Sequence, residues 1–421
     1  MNEQLVVKNF GPIKDATVDF KRVTVFIGPT GGGKSTLAKL RMIISEDEIL
    51  SNGVNIIPSL EKYDLSSYRR SNYFIKWISH SGHFLELVDN KINLDAQSIS
   101  ALSEHNEKIS KPLAKGVSQR FAAPADIANR IKELLIELEK LDPSISAKII
   151  SPDKIVADSA LRLEEDFDRV YLKDALSISD YSHYIPAERL LVSTLNLSWP
   201  SLIEAKVDLP KTLLDFSKAF LQASKSIDNL ELPFLGVTFQ SSNGRSLIQL
   251  EQGNALQLHE TASGIQSVTP LLVLLEHLSR NTEQAQSFII EEPELNLYPT
   301  AQQGLLNWLV EKCTKGENDL TITTHSPYLL AHFNLLLYAY QVAENHPDRA
   351  EDVAKIVPRE SWISPKEFAA YHVEGQKENG VRSIVNPETG LISYNGLDST
   401  ASAETAEFEK LLDINAGLEV E

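Results

Sequence analysis

GPTGGGKST, Gly28 to Thr36, follows directly on Val23-Thr24-Val25-Phe26-Ile27, a continuous apolar run with one threonine. Such a run suits a strand buried on both faces. The stretch itself fits G-x4-G-K-[ST] in a strand–loop–helix setting. Glycines let successive backbone N–H groups converge on phosphate oxygens, and the N-terminus of the helix that follows favours anions. This chemistry assigns Lys34 to the β- and γ-phosphates of ATP and the Ser35 hydroxyl to Mg²⁺. Gly28, Pro29, Thr30, Gly31, Gly32, Gly33 and Thr36 complete the expected cradle. Upstream, Leu5–Val7 and Ala16–Phe20 read as two short strands joined through Asn9-Phe10-Gly11-Pro12. A chance glycine loop is the bland alternative, and the strand before the loop weighs against it.

Three further motifs lie far downstream. Ser287-Phe288-Ile289-Ile290 ends in Glu291-Glu292-Pro293-Glu294, a buried strand delivering two carboxylates at its end. That arrangement suits Glu291 to the metal and Glu292 to the general base. After an amphipathic helix, Thr300–Cys313, the strand Leu320–Thr323 runs into Thr324-His325-Ser326-Pro327, which places His325 where it can sense a γ-phosphate. Between these and a group of short alternating strands (Val237–Gln240, Leu247–Leu250, Ala255–Leu258) stands Thr261-Ala262-Ser263-Gly264-Ile265-Gln266-Ser267. It opens a helix with Ile265, Val268, Leu271, Leu272 and Leu275 on one face. Ser263 reads either as a helix N-cap or, with Gly264, as an anion site at the helix tip.

The order GPTGGGKST, ASGIQS, FIIEEPELNLYP, TITTHSP resembles the ABC-type ATPases, and within them the SMC-like and overcoming-lysogenization-defect-like branch. The resemblance covers residues 1–40 and 184–330. It implies an α/β P-loop ATPase head with a mixed-sheet core, an antiparallel β subdomain and a helical insertion lobe. It further implies that Ser263, Gly264 and Gln266 contact ATP bound to a second protomer. His325 becomes the switch histidine and Leu295-Asn296-Leu297 the D-loop, while Tyr184-Ile185-Pro186-Ala187-Glu188-Arg189 recurs in the branch without a clear role. Ile265 stands where transporter subunits carry glycine, which argues against a transporter. Stand-alone members serve as ATPase subunits of bacterial anti-phage systems such as Septu, certain retrons and PARIS. The resemblance therefore implies a homodimer or higher homo-oligomer, an effector nuclease or toxin encoded nearby, and contact with DNA or a phage component. The alternatives are an SMC-like DNA-repair or chromosome-maintenance ATPase and an ATP-dependent scaffold that does not hydrolyse.

Composition agrees with such a machine. The chain has 421 residues, 42% hydrophobic and 23% charged, with a net charge of −18. That balance disfavours coating nucleic acid over the whole surface but leaves a local basic groove open. No secretory signal or membrane span is expected, and a single cysteine, Cys313, in an amphipathic helical pattern suits a reducing cytoplasm and a buried apolar role. The expected division is 1–44 for the first half of the head, 45–183 for a mainly helical insertion, 184–335 for the second half, and 336–421 for a C-terminal α/β extension. Within the insertion, Asp126–Leu141 reads as one amphipathic helix. Lys211, Lys218 and Lys225 repeat along one face of a helix, as either a phosphate-binding stripe or a solvated surface. Arg69-Arg70 between Tyr68 and Tyr73 is equally ambiguous, and His80 with His83 lacks the further ligands a metal needs. Ile384–Tyr394 reads as a hairpin. No acidic pair of the Toprim kind and no HNH cluster stands out, so nuclease chemistry is expected on another chain.

Overall fold

A computed structural model describes residues 3–46, 56–95 and 181–393, apart from positions 80, 89–90, 196–197, 206, 243, 251–252, 254 and 281–283. In chain order its first strands are β1 (Glu3–Phe10), β2 (Ile13–Phe20), β3 (Val23–Ile27), β4 (Arg69–Ile78), β5 (Phe84–Val88), β6 (Lys91–Leu94) and β7 (Tyr181–Ile185). Then follow β8 (Asn229–Leu232), β9 (Val237–Ser242), β10 (Arg245–Leu250), β11 (Ala255–Gln257), β12 (Gln286–Glu291), β13 (Asp319–Thr324), β14 (Phe368–Val373) and β15 (Val381–Ser383). The helices used below are α1 (Lys34–Ile44), α2 (Leu190–Thr194), α3 (Lys211–Ser226), α4 (Ser263–Leu278), α5 (Pro299–Cys313) and α6 (Pro327–Asn345).

The central sheet has the order β15-β14-β3-β13-β12-β7 and is parallel except for β15. β3, β12 and β14 are buried at every position, as strands covered on both faces must be. Their side chains alternate between two cores. Val23, Val25 and Ile27 of β3 join the larger core with α3 to α6, and Phe26 joins the smaller one with α1. Phe368 and Ala370 of β14 repeat that split against Ala369, Tyr371 and Val373. The second core is closed by the antiparallel sheet β2-β1-β4-β5-β6, where Arg41 lies buried over Trp77 at 4.7 Å from the ring centroid. A third sheet, β11-β10-β9-β8, is the antiparallel subdomain.

Two expected boundaries move. Strands β4 to β6 fall inside the stretch expected to be a mainly helical insertion from residue 45, yet β4 pairs directly with β1. Cross-strand pairing at long sequence range overrides the local pattern there. The presumed C-terminal extension also contributes to the head itself, because β14 pairs in parallel with β3. The helix expected over Asp126–Leu141 and the acidic tail lie outside the described residues. Cys313 is buried, and burial pushes its thiol pKa far up, in keeping with an apolar role. No helix among the described residues is long and apolar enough to cross a membrane.

Candidate nucleotide site

β3, β13 and β12 run parallel, so their C-terminal ends open at one edge of the sheet, where α/β sheets bind ligands. The glycine loop leaves β3, the carboxylate pair leaves β12, and His325 follows β13, which lies between them. A cleft of about 770 Å³ gathers Thr30, Gly31, Gly33, Lys34, Ser35, Thr36, Glu292 and His325, together with Gly11, Pro12, Lys14, Tyr68, Arg70 and Gln376. Tyr68 and Arg70, ambiguous as a nucleic-acid signal in the sequence, thus face the same space as the phosphate loop.

The loop is held by its own backbone and by β14. Gly33 caps α1 in a left-handed conformation, and its carbonyl accepts from the Leu37 N–H at 3.0 Å. The Gly375 N–H donates to the Gly32 carbonyl at 2.8 Å, and the Lys14 N–H to the Gly375 carbonyl at 2.9 Å. Lys34 Nζ donates to the carbonyls of Gly28 and Pro29 at 2.9 and 3.0 Å. Burial lowers its pKa, while the carboxylates of Glu292, Glu291 and Glu294 oppose that shift.

The two glutamates after β12 differ sharply. Glu291 is buried; burial raises its pKa, while the nearby Lys39 charge and hydrogen bonding from Ser35 and Tyr184 work the other way. One of its oxygens, Oε1, is buried without a hydrogen-bond partner. An open, buried acceptor beside the Ser35 hydroxyl fits a hard divalent cation, so Ser35 and Glu291 are the residues that would hold Mg²⁺. Glu292 turns outward at φ 42°, a left-handed conformation that costs a glutamate about 1 kcal/mol. Its Oε1 lies 3.3 Å from His325 Nε2. The histidine pKa is lowered by burial and by the Lys34 charge, with Glu292 opposing, which favours the neutral ring.

Glu294, which sequence reasoning gave no role, fixes the histidine. Its Oε1 accepts from the Thr324 hydroxyl and, at 3.0 Å, from the His325 N–H. Gln302 donates to the Leu297 carbonyl at 3.0 Å and accepts from the Ser326 hydroxyl at 2.6 Å, tying the D-loop to the same segment.

Ser263, Gly264 and Gln266 do not line this cleft. α4 is capped by Ala262, not Ser263, and the serine is exposed at the tip. The helix tip packs on the D-loop: a Cβ added at Gly264 would lie 2.7 Å from the Asn296 carbonyl oxygen. Gln266, expected at a nucleotide, instead donates to the carbonyls of His259 and Thr261 at 3.1 and 2.6 Å. It braces the turn before the helix.

Comparison with known proteins agrees with this geometry. The AAA ATPase domain family matches residues 201–330, a span that includes the α4 tip, Glu291, Glu292 and His325. The match begins after the glycine loop, so the domain as folded includes β3 and its loop from outside the matched span. The OLD nuclease of Thermus scotoductus (strain ATCC 700910 / SA-01) is 23% identical over 373 residues, covering 83% of this chain. The chain spans 63% of the length of that relative. Two solved structures are also similar. One is the Smc head domain of Pyrococcus furiosus, with an extended coiled coil and bound to the C-terminal domain of ScpA. It has a TM-score of 0.37 at 11% identity, over 90% of this chain and 95% of that one. The other, the SMC head domain from Thermotoga maritima, gives 0.34 at 12% identity, over 79% and 92%. The matched family and the OLD nuclease relative are similar to this chain in the part that carries the downstream motifs, in line with the sequence resemblance.

Proposed function

We propose that the chain binds and hydrolyses ATP at a site completed by a second copy of itself, and uses the resulting dimer to control an effector. One observation carries the composite site. Ser263 is exposed at the helix tip, Gly264 beside it packs on the D-loop, and neither lines its own chain's cleft, which supports the nucleotide of a partner as the target of Ser263. In this reading Lys34 and the loop N–H groups bind the β- and γ-phosphates, and Ser263 and Gly264 of the second copy close over the γ-phosphate. Ser35 and Glu291 would hold Mg²⁺, which would neutralise charge at the phosphates when bound. Glu292 takes the proton of the attacking water as its oxygen bonds to the γ-phosphorus, while the bond to the β–γ bridging oxygen breaks and its electrons pass to ADP. Neutral His325 positions that water or the γ-phosphate.

Burying ATP between two copies makes dimer geometry report nucleotide state, which suits a sensor of infection better than a metabolic enzyme. The OLD nuclease relative supports a link to nucleic-acid cleavage, and we assign that cleavage to a partner chain in anti-phage defence. Size-exclusion chromatography with light scattering tests the core of the proposal in Glu292→Gln, where ATP is trapped. ATP should convert the monomer to a dimer, and adding Ser263→Arg should abolish the shift while leaving ATP binding intact. A Ser263→Arg protein that still dimerises refutes the composite site. Plasmid nicking by the chain alone, with ATP and Mg²⁺, refutes the separate effector.

A further inference from the structure

Arg189 is fully buried, an expensive place for a guanidinium. Its hydrogen bonds all go to backbone carbonyls. Nε donates to Ser267 at 3.1 Å, Nη1 to Pro186 at 3.2 Å and Glu291 at 2.7 Å, and Nη2 to Glu292 at 2.6 Å. One side chain thus joins its own turn, the early part of α4 and the end of β12. Burial brings its pKa down to about 10, with the carboxylates of Glu294, Glu292, Glu291 and Glu188 opposing, so it stays charged at neutral pH.

Pro270 explains why the Gln266 carbonyl of α4 is open to a side chain. In an unbroken helix the Gln266 carbonyl accepts from the N–H of residue 270; proline has no N–H and its ring crowds that carbonyl. The Ser193 hydroxyl of α2 fills the gap, donating to the Gln266 carbonyl at 2.6 Å. At the other end, Arg189 holds the carbonyl of Glu292, the residue kept at φ 42°. Ser263 and Ser267 are about one helical turn apart, so the lever from tip to clamp is short and stiff.

We propose that Arg189, assisted by Ser193, is a positioning residue that couples the Ser263–Gly264 tip to Glu292, so that a second copy pressing on the tip sets the general base. The inference rests on the composite site proposed above. Displacement of the tip moves the Ser267 carbonyl, the guanidinium follows, and the Glu291–Glu292 peptide turns with it. Arg189 itself lines no part of the cleft.

The test uses the full chain and its Arg189→Lys and Ser193→Ala variants. Steady-state turnover is measured against protein concentration, together with affinity for a fluorescent ATP analogue and ATP-driven dimerisation. Arg189→Lys should lower kcat by about 10-fold or more, because lysine cannot hold three segments at once. Ser193→Ala, which loses one hydrogen bond, should lower it about threefold. In both, ATP affinity and the dimerisation midpoint should stay within about twofold of wild type, a split between kcat and binding that general loss of structure would not produce. Should Arg189→Lys fail to fold, Ser193→Ala carries the test alone. Unchanged kcat in Ser193→Ala, or turnover falling only in step with ATP binding, overturns the coupling and leaves the composite site standing. A wild type that neither dimerises with ATP nor gains specific activity with concentration defeats the composite site, and the coupling with it.

Discussion

A methyl group at Gly32 should cost far more than one at its neighbour Gly31, although both belong to the same loop. A Cβ on Gly32 would sit 2.3 Å from the Val373 carbonyl oxygen and 3.0 Å from that of Pro29, where ordinary contact begins at 3.4 Å. Both obstacles are backbone, so the loop or the end of β14 must retreat by about 1 Å, which overpacking data put at about 1–3 kcal/mol. The same shift weakens the Gly375-to-Gly32 hydrogen bond, adding about 1 kcal/mol. At about 2 °C per kcal/mol for a domain of this size, Gly32→Ala should unfold roughly 4–8 °C below wild type. Gly31 meets nothing within 4 Å of its added Cβ and has φ 74°, so Gly31→Ala costs only the left-handed backbone penalty, about 1–2 kcal/mol. Differential scanning calorimetry of both variants reads the contrast, and titration with a fluorescent ATP analogue shows whether Gly32→Ala also distorts the cradle. If Gly32→Ala melts within 2 °C of wild type, or Gly31→Ala melts lower, β14 is not the buttress described here.

Other outcomes can be checked alongside. Glu292→Gln should reduce ATP turnover by about 10²–10⁴-fold with ATP affinity nearly unchanged, as single-turnover and binding assays would show. Glu292→Gly should share the loss of turnover yet gain about 1 kcal/mol in urea unfolding, because it releases the φ 42° strain. Glu3 is pushed up to about 7 by burial, even though Arg41 lies 3.5 Å away and pulls the other way. Folding therefore favours its protonated form. That stabilisation is complete below about pH 4.5 and is lost as pH rises through about 7. Relative to Glu3→Gln, wild type should lose up to about 3 kcal/mol between urea titrations at pH 4.5 and pH 8. Cys313 should resist iodoacetamide in the native protein and react only on unfolding, read by mass spectrometry.

Much of the head could be read from the chain because its motifs sit at the ends of short, fully buried strands. β3 and β12 announce themselves as apolar runs and β13 as a leucine–threonine–isoleucine strand, and the residue types that follow them admit few chemistries. In the structure Lys34, Ser35, Glu292 and His325 line one cleft, and Glu291 accepts a hydrogen bond from Ser35 beside it. What stayed hidden depends on contacts distant in sequence. Arg69–Ile78 carries its own period-two pattern at Tyr73, Ile75 and Trp77, but its place beside β1 is set by a pairing that no local stretch reveals. Arg189 carried no readable role because its partners are carbonyls, which have no sequence signature. Gln266 matched a motif position, but only coordinates show its amide spent on the turn before the helix. Phe368–Val373 is a strong apolar run that sequence reasoning passed over, having found no chemistry attached to it.

The placing of β14 also shapes how the protein must be made. β3 leaves the ribosome well before both strands that flank it, β13 and β14, which lie beyond residue 318. At about 5–20 residues per second, its two edges wait roughly 15–70 s for their neighbours. During that interval a fully apolar strand offers unpaired N–H and C=O groups to any passing chain. Synthesis of this chain should therefore lean on chaperones that shield nascent chains, and truncations before Phe368 should accumulate as aggregates rather than as a smaller folded head.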